Sequence, residues 1–488
     1  MIHPKNEQQL TLFQTPFEQN LDSKNRWVQL AHRIPWDSLA PYYYQQMDSN
    51  QGTPAKDARL ILGAVIIKHK ENLTDEDTIE MIKENVYMQY FLGLSSFKTE
   101  KIFEPSLFVA IRKRLTPQFW KKLNEILIAY AQQGGGEREQ EKENTNPPSP
   151  TANTEKENKG DLLLDATVAP QDIAYPNDLD LVNQSRMKAD ELITLICLET
   201  GQYKPRTYNR VARKHYLITA KKKKRSRKEI RKAIGKQLRY LKRNLSHLDN
   251  ILQNLSQQQV QKIFKPKHFQ SYHTIAEVYQ QQKQMYDTKT HTVEDRIVSI
   301  HQPHVRPMVR GKSGAGVEFG SKFELSLHNG FARLEHLQWD NYHEAKSLAV
   351  AAENYKTQYG YYPAKVIVDR KYCTRENRTW CKERGIHLSG KPLGRPTEQT
   401  EQQHQQLKDD SGKRNAIEGK FGQGKRAYGL DSIKAKLQST SESWIGAIVF
   451  VLNLVKWEQV FWPFYFFISS WRKLPKKHNI LKILTPTF

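Results

Sequence analysis

The pattern of apolar and polar positions predicts an all-helical N-terminal domain at residues 1–133, because apolar residues recur there at helical spacing. Thr74 has the form of an N-cap before a helix over 78–94, and Thr116 before Pro117 begins another helix. Short helices that carry Arg and Lys suit a DNA-binding module of the helix-turn-helix kind. They suit equally a helical bundle that only packs or dimerises.

A polar segment at 134–160 separates this part from the rest of the chain. It contains Gly, Pro, Ser and charged residues with almost no apolar ones. Such a composition cannot form a packed core, so it predicts a flexible linker and a domain boundary. The second domain is then expected at 161–460, followed by an apolar and basic C-terminal tail at 461–488.

Beyond the linker, apolar runs of strand length alternate with segments of helical periodicity. Strands are predicted at 161–169, from about 297, at 317–340 as a hairpin turning at Asn329-Gly330, at 364–369 and at 386–390. Helices are predicted at 181–200, 343–358 and 374–385, and a polar loop at 397–412. This order predicts an α/β fold with a mixed sheet and flanking helices.

A basic helical insertion is predicted at about 204–290. Leucines follow one another at steps of three and four residues, at 238, 241, 245, 248, 252 and 255. This heptad spacing predicts a coiled-coil-like helix. Its partner is either the segment 269–287 of the same chain or another subunit.

The charge of the chain changes the picture from a generic α/β protein to one with a polyanionic partner. The formal net charge is +24, from 76 basic and 52 acidic residues. Residues 201–250 contain 18 Lys and Arg against two acids, Glu229 and Asp249. Nucleic acid is the simplest partner for such a surface. The residues predicted to contact DNA in this run are Lys221, Lys222, Lys223, Lys224 and Arg225.

Three scattered cysteines are too few for a disulfide framework and favour a reducing compartment, hence the cytoplasm. The cysteine and histidine spacings match no zinc pattern. The most apolar stretch, 444–455, is followed by charged residues and is too short to cross a membrane, so it predicts a buried helix. No membrane association is expected.

Three carboxylates carry the candidate chemistry. Asp165 follows the apolar run 162–164 and Asp369 follows 366–368, each at an apolar-to-polar edge. In open α/β sheets ligands bind at the carboxyl ends of strands. Either acid alone is as well explained as a turn residue or a helix cap. Together with Glu418 they form a trio suited to magnesium, and two such ions suit phosphodiester chemistry.

The stretch RNAIEGKFGQGKR, 414–426, allows more than one interpretation. Gly419, Gly424 and Lys425 have the spacing of a phosphate-binding P-loop, but no apolar strand precedes them and Arg426 replaces the required Ser or Thr. As a helix, the stretch would place Arg414, Glu418 and Lys425 within a sector of roughly 60°. Each glycine, however, lowers helix stability by about 1 kcal/mol relative to Ala.

Three blocks of the sequence give it a family resemblance. DATVAPQDIAYPND contains Asp165, VIVDRKYCTRENR contains Asp369, and RNAIEGKFGQGK has the form R-x3-E-x6-K around Glu418. With these blocks the chain resembles the DDE transposases of bacterial insertion sequences. The stretch VEFGSKFELSLHNG and the N-terminal LGAVIIKHKENLTDEDTIEMIKENVYMQYFLGL resemble the same family.

The resemblance implies a ribonuclease-H-like fold that cleaves the ends of an element and joins their 3′ hydroxyls to target DNA. It implies two Mg²⁺ or Mn²⁺ ions, with Asp165 bridging both, while Asp369 and Glu418 each complete one site. Asp161, on the same strand face, is a rival for Asp165. Arg414 and Lys425 would hold phosphates. The implied partners are terminal inverted repeats, target DNA and at least one further copy of the chain, in the bacterial cytoplasm at the nucleoid.

Departures from the family keep other functions open. Ser411 stands where some relatives have Tyr, and Lys371 gives D-R-K-Y where many have D-x-G-Y. A catalytically inactive DNA-binding protein derived from a transposase is the main alternative. A nuclease of the same fold would cut without joining.

Overall fold

The computed structural model describes residues 21–47, 54–133, 157–309, 316–390 and 401–461. Most of the predicted linker, 134–156, and the predicted tail from 462 onward lie outside these ranges.

The N-terminal part is helical, as predicted. Its helices are α1 Arg26–Arg33, α2 Trp36–Tyr44, α3 Ala58–Lys70, α4 Asp75–Glu84, α5 Val86–Phe91, α6 Leu107–Arg114 and α7 Pro117–Gln132. The side chains of Thr74 and Thr116 cap α4 and α7. The helix predicted over 78–94 is divided, because Asn85 takes an extended conformation and its side chain caps α5 through the amide of Met88.

A six-stranded mixed sheet forms the centre of the second part and confirms the predicted α/β class. Its strands are β1 Asp161–Pro170, β2 Arg306–Val309, β3 Val317–His328, β4 Phe331–Gln338, β5 Lys365–Val368 and β6 His387–Ser389. Strands β1, β5 and β6 are parallel, β3 pairs antiparallel with β1, and β2 and β4 pair with β3. This arrangement is compatible with a ribonuclease-H-like domain.

Most strand predictions agree with this sheet. The hairpin turns at Asn329 and Gly330, whose φ angles of 51° and 81° are those of a tight two-residue turn. The strand expected from about 297 instead begins at Arg306. One face of the sheet is covered by helices α13 Leu348–Tyr359 and α14 Arg375–Glu383, which pack against β1 and β5.

The insertion consists of five helices between β1 and β2. They are α8 Asp178–Thr200, α9 Asn209–Ala220, α10 Arg227–Gln253, α11 Gln257–Ile263 and α12 Pro266–Thr288. Leu238, Leu241 and Leu248 of the heptad pattern are buried against α8 and α12. The partner of the heptad helix therefore lies in the same chain, and α8 shares that role with the predicted segment.

The prediction of a polar loop at 397–412 is wrong from residue 401 onward. Helix α15 runs without a break over Glu401–Tyr428. Between 401 and 411 the chain contains Glu, Gln, Lys and Asp with no Gly or Pro, and most of these side chains are exposed. Straight-chain polar residues are good helix formers, but an exposed helical turn shows no apolar periodicity, so the pattern resembled a loop.

Helix α16, Gln438–Phe461, connects the two parts of the molecule. Phe450, Leu454 and Trp457 pack with the N-terminal helices, whereas Ile445 and Leu452 pack with the sheet and α15. The apolar stretch 444–455 is buried throughout. Within the described ranges, no helix combines the length and apolar character that a membrane crossing requires.

Candidate active site

The register of two parallel strands brings Asp165 and Asp369 together. Leu164 of β1 lies beside Val368 of β5, and each acid is the next residue along its strand. Because side chains alternate between the faces of a sheet, both acids share the face of Leu163, which packs towards α15 and α16. Strand β5 ends at Val368, whereas β1 continues to Pro170. Asp165 therefore lies inside its strand rather than at its end.

Helix α15 places Glu418 near Asp165 and Asp369. Its residues Ile417 and Phe421 are buried against the sheet, and the Phe421 ring meets Phe323 edge-on at 5.8 Å. Glu418 keeps 47% of its side-chain surface exposed beside Arg414, whose Nη2 lies 3.1 Å from the Glu418 carboxylate. The stretch 414–426 is thus a helix and not a loop around phosphate.

Arg414 also joins the second and third acids. Its Nη1 lies 3.6 Å from Asp369, so one guanidinium interacts with both Asp369 and Glu418. These three residues and Asp165 line one cavity of about 650 Å³. The cavity opens beside the end of β5 and along the continuation of β1.

Asp165 is the most buried acid of the three. Burial raises the pKa of its carboxyl to about 6, although the hydrogen bond from the Ala166 amide and the charge of Arg414 act in the opposite direction. The amide donates to Oδ1 at 2.9 Å. The nearby carboxylates Glu344 and Asp369 raise the pKa further.

Sequence reasoning missed the opposite wall of the cavity. Lys322 of β3 lies there with Glu344, at 2.8 Å, and also donates to the carbonyl oxygen of Tyr342 at 2.9 Å. Lys322 alternates with apolar residues in the strand and belongs to none of the three acid-containing blocks. Glu344 begins a short 3₁₀ turn, Glu344–Ser347, and belongs to no recognisable motif. Lys371, noted only as a departure from the family, lines the cavity too.

Asp161 and Lys425 are not brought to this cavity. Asp161 shares the strand face of Asp165 but lies roughly 13 Å along the strand, where it forms an ion pair with Lys413 at 2.6 Å. Lys425 is half-buried and lies roughly 10 Å along α15 from Glu418. Neither is among the residues that line the cavity.

One of the three glycines after Glu418 has a packing role. A Cβ atom at Gly424 would lie 3.0 Å from Leu430 and 3.4 Å from Leu452 of α16. Gly424 therefore allows α15 to approach α16 closely. Nothing in the structure explains Gly419, where a Cβ atom would meet open space.

The basic run forms a separate surface on the insertion. Lys221, Lys222, Lys223, Lys224 and Arg225 are all exposed in the connection between α9 and α10. Lys222 pairs with Glu229 at 2.6 Å. These cations do not line the cavity, so this basic surface is separate from the cavity.

Two transposase families match different parts of the chain, one in the N-terminal helices and one in the second part. The family described as transposase DDE domain matches residues 366–455, which contain Asp369, Arg414 and Glu418 but not Asp165. A second family, described as transposase domain, matches residues 15–114 in the N-terminal part.

One curated relative is an uncharacterized protein, ORF8 in the nfe locus of Rhizobium meliloti. It is 28% identical over 206 residues, which are 42% of this chain and 87% of the relative. No solved structure matches the chain significantly. The two matches cover separate parts of the chain. Together they support a DDE transposase of an insertion sequence.

Proposed function

We propose that this transposase cleaves the ends of its insertion sequence and joins their 3′ hydroxyls to target DNA, with Asp165, Asp369 and Glu418 as the catalytic acids. The observation that carries the proposal is the cavity into which neighbouring parallel strands and α15 bring these three acids. The DNA substrates are the terminal inverted repeats and a target duplex. Pairing two ends requires at least a dimer.

The proposed cofactors are two Mg²⁺ or Mn²⁺ ions, and the chemistry of the cavity fits them. Its acids offer hard oxygen donors, and Asp369 and Glu418 share a single cation, Arg414. In the described part of the chain, no three His, Cys, Asp or Glu side chains are yet close enough to hold one ion. Arg414 lies between two of the acids, at 3.6 Å from Asp369 and 3.1 Å from Glu418.

Asp165 would then bind both ions, while Asp369 and Glu418 would bind one each. When bound, such ions activate an attacking oxygen and stabilise the leaving one. Arg414, displaced from the two acids, is free to hold a DNA phosphate. Lys425 and the exposed cations of 221–225 are proposed to bind the DNA backbone outside the cavity.

The proposal also assigns a role to each part of the chain. Residues 161–460 form the ribonuclease-H-like catalytic domain with its helical insertion at 204–290. Residues 1–133 contribute DNA binding or dimerisation. The region 134–160 links them.

Charge-neutral variants of the acids test the proposal. We expect Asp165→Asn, Asp369→Asn and Glu418→Gln each to lower cleavage of terminal DNA by at least about 10³-fold, because residues that act as one unit fail together. DNA binding without metal should remain. Asp161→Asn is the matched control, since it changes an acid on the same strand face outside the cavity.

A near-normal cleavage rate in any of the three variants would remove that residue from the proposal. A strand-transfer assay with a pre-cut 3′ end separates a transposase from a nuclease of similar fold, which would cut without joining.

The alternative is a catalytically inactive DNA-binding protein derived from a transposase. It is favoured by Lys371, an additional charge two residues from Asp369, and by the position of Arg414 between two acids. Binding of terminal repeats by the wild-type protein without cleavage in Mg²⁺ or Mn²⁺ would establish it.

A further inference from the structure

A fully buried carboxyl group lies beneath the cavity. Glu324 of β3 has no exposed surface. It pairs with Ala166, the residue after Asp165, and its side chain is on the sheet face opposite that of Asp165. Burying a carboxyl group is unfavourable unless it is hydrogen-bonded. An apolar side chain would pack at this position with less cost, so the acid requires another explanation.

Glu324 interacts with the Ser347 side chain and with Tyr372, which belongs to the turn that follows Asp369. Tyr372 is also fully buried, and its hydroxyl donates to Glu324 Oε1 at 2.5 Å. Its amide donates to the carbonyl oxygen of Asp369 at 3.0 Å and so closes the turn Arg370–Tyr372. The hydroxyl bond therefore attaches the turn that carries Asp369 to the strand beside Asp165.

A second contact ties this turn to the wall that contains Glu344. The Asn377 side chain donates to the carbonyl oxygens of Tyr372 and Ala345, both at 2.8 Å. Asn377 is itself buried at the start of α14. The turn after Asp369 and the segment that contains Glu344 are thus connected through buried side chains.

The strand is irregular at the same position. The pairing of β3 with β4 shifts between Glu324 and Leu325, and Leu325 is the residue paired with Asp165. Glu335 is the additional residue on β4, and its carboxylate accepts bonds from Ser326 at 2.6 Å and Asn354 at 2.7 Å. Bulges increase the local twist of a strand and redirect side chains, and they occur often beside active sites.

We propose that the Glu324–Tyr372 hydrogen bond positions Asp369 relative to Asp165, and so sets the separation of the two acids that would hold metal. Both are positioning residues, because neither lines the cavity. The inference rests on the proposed function in one respect, that Asp165 and Asp369 are metal ligands. It adds that the geometry of these ligands depends on two buried side chains with no contact to DNA.

Tyr372→Phe tests the inference, because it keeps the ring and removes only the donor to Glu324. Tyr355→Phe is the matched control. Tyr355 is a buried tyrosine in the same core, and its hydroxyl donates to the carbonyl oxygen of Lys159 at 2.8 Å, near the start of β1 and away from the cavity. Tyr372→Phe removes the bond to Glu324, and Tyr355→Phe removes the bond to Lys159 and a longer one of 3.5 Å to His328 Nε2.

Mn²⁺ binding to the full chain without DNA, followed by electron paramagnetic resonance, gives a readout independent of cleavage. We expect Tyr372→Phe to weaken Mn²⁺ binding by about 10- to 100-fold, the range for residues that support metal ligands. Tyr355→Phe should leave it within about twofold of wild type. Equal Mn²⁺ affinities in the two variants would overturn the inference.

Two substitutions of Glu324 keep the test decisive if Tyr372→Phe does not fold. Glu324→Gln retains an acceptor for the Tyr372 hydroxyl and should bind Mn²⁺ nearly as wild type does. Glu324→Met removes the acceptor at similar volume and should weaken binding as Tyr372→Phe does. Wild-type Mn²⁺ affinity in a folded Glu324→Met protein would contradict the proposal.

Asp165→Asn and Asp369→Asn belong in the same titration. If they leave Mn²⁺ binding intact, the proposed metal ligands themselves are wrong. If they abolish it while Tyr372→Phe and Glu324→Met do not alter it, only the positioning role fails.

Discussion

Two groups of charges in this molecule use the same residue types and differ in burial and balance. At the junction of the N-terminal helices with α16, Asp75 lies 2.9 Å from Lys68 and 2.6 Å from Arg112. The Lys68 and Arg112 side chains are only 1% and 10% exposed. In the cavity, Arg414 lies between Asp369 and Glu418, whose side chains are 41% and 47% exposed.

The two groups also differ in the ratio of acids to cations. One acid meets two cations at the junction, and both cations also lie over the Trp444 ring of α16, at 4.5 Å for Lys68 and 5.1 Å for Arg112. Four acids line the cavity against three cations, Lys322, Lys371 and Arg414. The junction therefore has an excess of positive charge, whereas the cavity retains negative charge that a metal ion can neutralise.

The comparison also limits where DNA can bind. Lys68 and Arg112 contribute to the basic character of the N-terminal helices, yet both are held inside the protein. Lys70 is buried too, against Glu458 of α16 at 2.5 Å. A count of Lys and Arg in this region overstates the charge that it presents to DNA.

The largest effect is expected from breaking the junction. Asp75→Asn leaves Lys68 and Arg112 buried without a countercharge, and loss of one partner from a buried pair costs about 3–5 kcal/mol. Chemical denaturation measures the free energy of unfolding. Glu80→Gln, which affects an exposed pair with Lys83 at 3.5 Å, should change it by less than about 1 kcal/mol. Similar losses in the two variants would show that the junction is not the stronger site.

Much of this arrangement could be predicted from the sequence, because the signals are local. Threonine caps, the Asn-Gly hairpin and the heptad leucines are patterns over a few turns, and the structure contains all of them. Asp165, Asp369 and Glu418 were selected from strand edges and family blocks, and they line one cavity. Their catalytic role stays a prediction.

Contacts between distant segments could not be predicted in this way. Lys322 and Glu344 meet across the cavity only after β3 and the following turn fold together. Lys68 and Arg112 look like exposed cations in a helical pattern, since nothing local shows that Trp444 covers them. The first turns of α15 were missed because exposed helices have no apolar stripe.

The pH dependence of metal binding should sharpen the comparison. The pKa of Asp165 is about 6 in the folded chain, above its usual value of 3.8. A metal ligand must lose its proton, so Mn²⁺ affinity should fall about tenfold per pH unit below about pH 6. Calorimetry in buffers of different ionisation enthalpy measures the displaced proton.

The same carboxyl group affects folding stability with the opposite pH dependence to Mn²⁺ affinity. A raised carboxyl pKa means that the folded state binds the proton more tightly. Without metal, Asp165 therefore favours folding at low pH, and this contribution is lost as pH rises from 3.8 to about 6. Asp165→Asn should remove both effects. A pH-dependent Mn²⁺ affinity that persists in this variant would assign the proton to another group.

A smaller effect is expected from Arg414→Gln, which removes the cation shared by Asp369 and Glu418. Because the pair is partly exposed, stability should change by less than about 1 kcal/mol. Mn²⁺ binding without DNA should tighten by up to about fivefold, the equivalent of one exposed ion pair. Arg426→Gln, an exposed arginine on the same helix that donates to the Gly422 carbonyl oxygen, is the control. Weaker Mn²⁺ binding in Arg414→Gln would mean that the arginine supports the acids rather than competing for them.

The smallest effect is expected on the salt dependence of DNA binding. It compares the exposed cations of the insertion with the buried cations of the junction. Lys223 and Lys224 have no ion-pair partner among the described residues, whereas Lys222 is held by Glu229. If these lysines meet DNA phosphates, Lys223→Ala and Lys224→Ala should each lower the slope of log affinity against log salt by about one. Lys68→Met should leave the slope unchanged, because that ammonium is buried at the junction and releases no counterions from DNA. An unchanged slope in both alanine variants would exclude this turn from the DNA interface.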